Sequence, residues 1–147
     1  MPYASPAAPT SQPLQKETNR VSARTQTVRV LLVEDEPVTS QVFARALQKN
    51  GHHVRVAADG NRALHALRDE TPDLVVLDLG LPTVPGLEVL RRIRESARPD
   101  LPVLVVSGAP ARAYKTGREL VTPGAWLEKP VRPHELVAAV EALFARS

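Results

Sequence analysis

From Val28 onward, two hydrophobic patterns alternate along the chain. Short, continuous apolar runs rich in valine and leucine predict buried strands, and longer stretches with apolar residues at helical spacing predict amphipathic helices. The predicted strands span 28–33, 53–57, 73–78, 101–107 and 125–128. The predicted helices begin at Pro37 and after Asp59, then span 86–97 and 110–121, and the last one opens at Pro133.

Local signals mark the helix ends. Pro37 suits a first helical turn, and either Asp35 or Glu36 precedes it as a candidate N-cap. Asp59 is the predicted N-cap of the second helix, and Gly51 ends the first helix in a position that favours glycine. The apolar residues of the first helix that fall at helical spacing are Val38, Val42, Phe43, Ala46 and Leu47.

The order of these elements predicts the fold class. Strand–helix units in succession indicate an α/β protein with a doubly wound, five-stranded parallel sheet and helices on both faces. Strands that are apolar throughout, rather than alternately apolar and polar, support this prediction. In such sheets the functional residues gather at the carboxyl ends of the strands, near the point where the strand order reverses.

Polar residues end most of the predicted strands: Glu34, Asp35 and Glu36 after the first, Asp78 at the third, Ser107 at the fourth, and Lys129 with Pro130 after the fifth. If the first and third strands are neighbours, Glu34, Asp35 and Asp78 converge, and clustered carboxylates repel unless a cation lies between them. Oxygen ligands favour a hard ion, and Mg²⁺ is the usual one where a phosphoryl oxygen completes its coordination. With Lys129 and Ser107 opposite, the sequence predicts a site that holds a phosphoryl group on a carboxylate.

Composition places these elements in one domain. A chain of 147 residues and 16.0 kDa suffices for a single core, and 43% hydrophobic with 24% charged residues is typical of a globular protein. Residues 1–27 differ, because several of the 14 prolines lie there among serine, threonine, alanine and glutamine. We expect 1–27 to be a disordered tail and 28–147 to form the domain.

Charge and targeting signals narrow the class of protein further. Of the formal charge of +3, the tail carries +2, from Lys16, Arg20 and Arg24 against Glu17. The domain is therefore nearly neutral, and we do not expect it to bind nucleic acid. No apolar run is long enough to span a membrane, no secretory signal is visible, and there is no cysteine. We expect a cytoplasmic protein without a membrane segment.

Residues 28–147 resemble a response-regulator receiver domain, the phosphoryl-accepting part of two-component signalling systems, of the single-domain kind found in chemotaxis. The resemblance rests on the order and spacing of Glu34–Asp35, Asp78 in Asp-Leu-Gly-Leu-Pro-Thr-Val-Pro-Gly, Ser107, and Lys129 in Glu-Lys-Pro. It implies the flavodoxin-like strand order 2-1-3-4-5.

The resemblance also implies a role for each residue of the site. Asp78 would accept the phosphoryl group from a phosphohistidine. Asp35 and Asp78 would bind Mg²⁺ directly, Glu34 would bind it through a water molecule, and the Gly80 carbonyl would complete the protein ligands. Lys129 would pair with a phosphoryl oxygen.

A second set of residues would carry the signal. By resemblance, the Ser107 hydroxyl swings toward the phosphoryl group, for which Gly108 leaves room. Trp126, where the family more often has tyrosine, phenylalanine or histidine, turns inward. By the same resemblance, the Lys129–Pro130 peptide bond is expected to be cis, which would aim Lys129 back at Asp78.

The implied partners are a sensor histidine kinase or a histidine phosphotransfer protein, and a downstream protein. The downstream protein would bind the face formed by the predicted helix 110–121, the fifth strand and the last helix. Because no second domain follows Ser147, we expect the signal to pass by protein–protein contact without an output domain. We expect a monomer or a phosphorylation-dependent dimer, and not an enzyme.

Other interpretations stay open at this point. A non-phosphorylated interaction module would have the same fold without needing the acid, serine and lysine set. A flavodoxin-like cofactor binder is disfavoured because Glu34-Asp35-Glu36 would repel a phosphate, and a P-loop hydrolase lacks its motif. A phosphatase with a nucleophile on the first strand would need Asp-x-Asp there. Taken singly, Ser107 could begin a turn and Trp126 could pack as core.

Overall fold

The structure is a computed structural model that describes residues 26–110 and 120–145. The strands are β1 (Arg29–Val33), β2 (His53–Ala57), β3 (Leu74–Asp78), β4 (Val103–Ser107) and β5 (Gly124–Glu128). The helices described are α1 (Pro37–Lys49), α2 (Gly60–Asp69), α3 (Gly86–Arg94) and α4 (Pro133–Ala145). The predicted strands, and the predicted helices other than 110–121, are thus present, most of them with boundaries shifted by one or two residues.

The strands form one parallel sheet in the order β2-β1-β3-β4-β5. The predicted fold class and the strand order implied by the resemblance are therefore confirmed. The order reverses direction between β1 and β3, so the carboxyl ends of these two strands flank a crevice. The central strands β3 and β4 are buried along their whole length, which explains why their sequences are continuously apolar.

Alternate residues of the central strands feed two separate hydrophobic cores. On one face, Leu32, Val76 and Leu104 pack beneath α1 and α4. On the other face, the neighbouring residues Leu77 and Val105 pack beneath α2 and α3. Because the side chains of a strand alternate between faces, both layers are closed and polar side chains are left to the strand ends.

Side-chain caps fix the starts of α1 and α2. Glu36, and not Asp35, is the N-cap of α1, and its carboxylate accepts hydrogen bonds from the Thr39 N–H at 2.8 Å and hydroxyl at 2.9 Å. Asp59 caps α2 through the Arg62 N–H at 2.8 Å. Asp35 is therefore free for another role.

The sequence pattern predicted the end of α1 correctly but not all of its buried face. Gly51 follows the helix with a φ of 90°, the left-handed conformation that favours glycine, as expected. Val38 and Val42, however, are 67% and 44% exposed. The buried face is instead formed by Ser40, Phe43, Ala44 and Leu47.

His52 pins α4 to the amino end of the sheet. Its buried ring accepts the Val28 N–H at Nδ1 over 3.1 Å, and its Nε2 lies 2.8 Å from a carboxylate oxygen of Glu141 on α4. Because a backbone N–H can only donate, the imidazole carries its proton on Nε2 and donates it to Glu141. These two hydrogen bonds of His52 satisfy a buried main-chain group and connect the start of β1 to the last helix.

Helix α3 ends at Arg94 rather than at residue 97, so the predicted boundary was wrong. The Ser96 hydroxyl and N–H both bond the Ile93 carbonyl, which closes the helix early. The Arg94 guanidinium donates hydrogen bonds to five main-chain carbonyls: those of Pro99, Leu101, Leu120, Val121 and Pro123. Its burial lowers the pKa of this guanidinium, and the nearby Asp100 charge partly offsets that.

Two expectations fall outside the described residues. The predicted tail lies there except for its last two residues, and the predicted helix 110–121 lies there over residues 111–119. Among the helices that the structure describes, none has the length and apolar character needed to cross a membrane.

We expect Arg94→Lys to destabilise the domain by about 2 kcal/mol, because an ammonium cannot reach carbonyls on two segments at once and leaves partly buried acceptors unpaired. Urea unfolding followed by circular dichroism measures the change. The matched control is Arg91→Lys on the same helix, where the side chain only meets Glu88 at 3.6 Å in a solvated pair. The free energy of unfolding of that variant should fall by less than about 0.5 kcal/mol. Equal losses of stability in the two variants would contradict a stabilising role for the Arg94 hydrogen bonds, which we call the Arg94 clamp.

Candidate functional site

Three carboxylates meet at the carboxyl ends of β1 and β3. Val33 pairs with Leu77 across these strands, so the residues that follow, Glu34 and Asp78, are brought side by side. Together with Asp35 they offer oxygen atoms that all lie within 4.8 Å of one another. Glu34 and Asp78 are buried, whereas Asp35 is exposed at the rim. The convergence predicted for these three residues is confirmed.

Asp78 is held from both sides. One carboxylate oxygen, Oδ1, accepts the Gly80 N–H at 2.9 Å, and the other, Oδ2, accepts from the Lys129 ammonium at 3.0 Å. The side chain of Asp78 is only 8% exposed, against 37% for Lys129. The Asp78 carboxylate is therefore buried and fixed in orientation, while its lysine partner is partly exposed to solvent.

The pKa of the Glu34 carboxyl is raised in this cluster. Burial raises the pKa of Glu34 to about 7, and the negative charge of Asp78 and a hydrogen bond to it act in the same direction. The Glu36 N–H, 3.1 Å from Oε2, and the Lys129 charge partly oppose this rise in pKa. Near neutral pH the Glu34 carboxyl is thus partly protonated, and a bound cation would favour its ionised form.

Lys129 reaches the carboxylates from the end of β5. Its N–H bonds the Ser107 carbonyl at 2.7 Å, which extends the β4–β5 pairing to the turn, and the Lys129–Pro130 bond is cis, as expected. The Thr122–Pro123 bond is also cis, which no sequence signal indicated. Partial burial opposes the charge of the ammonium, but the hydrogen bond that Lys129 donates to Asp78 and the charges of the surrounding carboxylates outweigh it and raise the pKa of Lys129.

Ser107 and Trp126 both bond the main chain of Ala109. The buried Ser107 hydroxyl accepts the Ala109 N–H at 3.1 Å, and the Trp126 indole N–H donates to the Ala109 carbonyl at 3.0 Å. The indole is half-buried and packs against the core under α2 and α3. Between Ser107 and Ala109, Gly108 is exposed, and a side chain added there would meet open space. The two predicted switch residues are thus linked through one residue.

The loop between Asp78 and α3 contains features that the sequence did not reveal. A Cβ on Gly60, the first residue of α2, would collide with the carbonyl of Val84, so only glycine lets the loop lie so close. Thr83 adopts a φ of 65°, a conformation that a β-branched residue rarely takes. The Gly86 N–H bonds the Leu79 carbonyl at 3.2 Å and closes the loop. This packing fixes the chain that carries Gly80 next to Asp78.

The donor set fits a hard divalent cation. Carboxylate oxygens are the ligands that Mg²⁺ prefers, and the exposed position of Asp35 leaves the cluster accessible from solvent. A cation would also offset the burial and the Asp78 charge that raise the pKa of Glu34. Gly80 meets Asp78 through its N–H, and the metal role of its carbonyl stays a prediction.

The fold and the site define a class of α/β proteins in which an acidic cluster at the switch point faces a lysine from the last strand. The chain belongs to the response regulator receiver domain family, whose sequence profile matches residues 30–141. It is therefore a domain of two-component signalling.

Curated relatives agree with this assignment. The chain is 37% identical over 122 residues to the probable transcriptional regulatory protein TcrX of Mycobacterium tuberculosis, covering 83% of this chain and 52% of that protein. It is 36% identical over 120 residues to the response regulator MprA of Mycolicibacterium vanbaalenii, covering 82% and 52%. The chain spans about half the length of these relatives. The expectation that no output domain takes part therefore stays a prediction.

Solved structures share the fold. The receiver domain of the Francisella response regulator 1452 is 26% identical with a TM-score of 0.75, over 82% of this chain and 98% of that one. The chemotaxis response regulator CheY4 of Vibrio cholerae is 26% identical with a TM-score of 0.74, over 80% and 99%. Both are similar to this chain across nearly their whole length.

We expect Glu34→Gln to stabilise the metal-free domain by roughly 1 kcal/mol at pH 8 and to have little effect at pH 5. The pKa of Glu34 is raised from 4.5 to about 7, so its stabilising contribution is complete below pH 4.5 and is lost as the pH rises through 7. Glutamine keeps an acceptor for the Glu36 N–H but carries no charge.

Urea unfolding in chelator at both pH values tests this expectation. Glu128→Gln, which removes an exposed carboxylate from the end of β5, is the control and should show no difference between the two. Added Mg²⁺ should reduce the advantage of Glu34→Gln. The same stability change at pH 5 and pH 8 would refute the assignment of the buried charge to Glu34.

Proposed function

We propose that this domain accepts a phosphoryl group on Asp78 from a histidine kinase or a histidine phosphotransfer protein. The observation that carries the proposal is the Asp78 carboxylate, which is buried, oriented by the Gly80 N–H and the Lys129 ammonium, and surrounded by further acids. A carboxylate held in this way at a solvent-facing pocket is suited to nucleophilic attack on a phosphorus atom. The family supports the same function.

In the proposed step, a carboxylate oxygen of Asp78 forms the new O–P bond as the P–N bond of the donor's phosphohistidine breaks. The electron pair of that bond stays on the imidazole nitrogen of the donor. Lys129 keeps its proton throughout, since its pKa is raised, and its ammonium stabilises the charge on a phosphoryl oxygen. The product is a mixed anhydride of Asp78 and phosphate.

Asp35 and Asp78 would hold Mg²⁺ directly, Glu34 through a water molecule, and the Gly80 carbonyl would complete the protein ligands. When bound, the ion supplies positive charge to the phosphoryl oxygens that face away from Lys129. The exposed position of Asp35 leaves it open to such a ligand, because Glu36 rather than Asp35 caps α1. Binding of the ion would favour the ionised form of Glu34.

The bonds at Ala109 support a route for the signal. To reach a phosphoryl oxygen, the Ser107 hydroxyl has to leave the Ala109 N–H. That N–H then needs another acceptor, and the segment moves with the carbonyl that holds the Trp126 indole. We infer that the indole turns inward as Ser107 turns away, and that a downstream protein reads the change on the face of β5 and α4. The function is signalling by protein–protein contact rather than turnover of a substrate.

We expect Asp78→Asn to abolish phosphorylation by acetyl phosphate with Mg²⁺, and by a cognate histidine kinase, because the amide lacks a nucleophilic oxygen. Intact-protein mass spectrometry should show one added phosphoryl group on the unmodified chain and none in the variant or in chelator. Asp100→Asn, which changes a carboxylate that is 77% exposed before β4, should be labelled normally.

Labelling of Asp78→Asn at the rate of the unmodified chain would contradict the assignment of Asp78 as the phosphorylation site. If neither donor labels any form of the protein, the domain is instead a non-phosphorylated interaction module. Lys129→Ala should fold with the pocket intact but be labelled more slowly, which separates loss of the lysine from loss of the acceptor.

We expect the fluorescence of Trp126, the single tryptophan, to report the activated state. Mg²⁺ with beryllofluoride, a mimic of the phosphoryl group, should shift its emission to shorter wavelength and reduce quenching by iodide, because the indole becomes more buried. Ser107→Ala is the control, since it binds the mimic without the hydroxyl that moves. Spectra and quenching constants that stay unchanged at proven saturation would contradict a tryptophan switch.

A further inference from the structure

A groove with an apolar floor lies between α2 and α3, far from the acidic cluster. It encloses about 270 Å³, and its floor is formed by Leu64, Leu67, Ile93 and Leu101. Both helices run back from the carboxyl edge of the sheet, so their last turns, which form the groove, lie at its amino edge. Leu64 and Leu67 are only half-buried, which leaves apolar surface within reach of a ligand.

Arginines line the rim of the groove, and no carboxylate is among its lining residues. Arg68 comes from α2, Arg92 from α3 and Arg98 from the loop that follows. Arg92 and Arg98 each meet an acid at 3.2 Å, but these acids, Glu88 and Asp100, are 40% and 77% exposed. Solvated pairs of this kind are weak and exchange readily for other partners.

Arg68 carries the least compensated charge of the rim. It is exposed on the last turn of α2, and within residues 26–110 and 120–145 it makes no ion pair. The two acids that follow it in sequence, Asp69 and Glu70, each form an ion pair with an arginine of the sheet, Arg55 of β2 at 3.2 Å and Arg29 of β1 at 2.6 Å. The groove therefore presents positive charge around an apolar floor.

Size and charge identify the kind of occupant. A volume of about 270 Å³ is below the roughly 300–1,000 Å³ of pockets that hold cofactors or drug-sized ligands, and suits the apolar side chains of a peptide lying across the helices. The guanidinium groups come from separate segments, which matches carboxylates spaced along a chain better than one anionic headgroup. The tail of this protein is itself basic, so it does not complement the rim.

We propose that the α2–α3 groove binds an acidic amphipathic helix of a partner protein, with leucine-like side chains on the floor and carboxylates against Arg68, Arg92 and Arg98. The interaction uses the helix-in-groove mode, in which apolar residues on one helical face anchor the segment. It takes place at the edge of the sheet opposite to the phosphorylation pocket, so it does not depend on the proposed function.

The probe is a synthetic fluorescein-labelled helix with leucines at positions i, i+3, i+4 and i+7 and glutamates at most others. Titrated with the full-length chain, it should bind saturably with a Kd below about 100 μM. Amide and methyl resonances of the groove should shift in ¹⁵N and ¹³C spectra, and those around Asp78 should not. A peptide with lysine in place of glutamate, and one with serine in place of leucine, should each fail to bind.

Arg68→Glu should weaken binding of the acidic helix about fivefold, and higher salt should act in the same direction. The matched control is Arg45→Glu on α1, an equal change of charge on an exposed helix of the opposite face, which should leave the Kd unchanged. Equal weakening by the two variants, binding of the serine peptide, or shifts outside the groove would overturn the proposal. So would the absence of saturable binding.

Two other occupants give distinct results. Because the chain has no cysteine, Ser11→Cys provides a unique site for a nitroxide label on the tail. Broadening of the groove resonances by that label, within one molecule, would assign the groove to the tail and overturn the proposal. Groove shifts that grow with protein concentration, together with a dimer in sedimentation, would assign it to a second copy and have the same consequence.

Discussion

The ion pair between Asp78 and Lys129 is the interaction on which the site depends. It joins the ends of β3 and β5 across the intervening strand and compensates part of the negative charge gathered at the switch point. The carboxylate oxygens of three acids lie within 4.8 Å of one another here, and burial, together with the charge of Asp78, raises the pKa of Glu34. The pair therefore holds the Asp78 carboxylate in one orientation, and the carboxylate oxygens gathered beside it are ligands that suit a hard cation.

The fold could be predicted from the sequence because the central strands are apolar along their whole length and must be covered on both faces. Leu74–Asp78 and Val103–Ser107 are buried on both faces, and only a parallel sheet between two helical layers satisfies such runs. The order and ends of the strands then placed Glu34, Asp35, Asp78 and Lys129 at one edge. What the pattern could not supply was set by tertiary contacts. Valine at helical spacing does not say whether a neighbour covers it, and Val38 is exposed.

Details that depend on main-chain bonds were equally invisible in the sequence. Which of Asp35 and Glu36 caps α1 is decided by the geometry of the turn, and the end of α3 is decided by the Ser96 hydroxyl. The conformation of Thr83 follows from the packing of its loop against Gly60 rather than from any preference of threonine. The link between Ser107 and Trp126 has no sequence signal, because it joins two strands through hydrogen bonds to the main chain of Ala109.

The Arg94 clamp has a consequence for how this protein can vary. All of its bonds go to main-chain carbonyls, so it recognises the path of residues 99–101 and 120–123 and not their side chains. Substitutions of the exposed side chains there, such as Asp100 and Thr122, leave the acceptors in place as long as the backbone keeps its course. The segment leading into β5 can thus drift in sequence during evolution, and acquire new partners, while its position relative to the sheet is inherited unchanged.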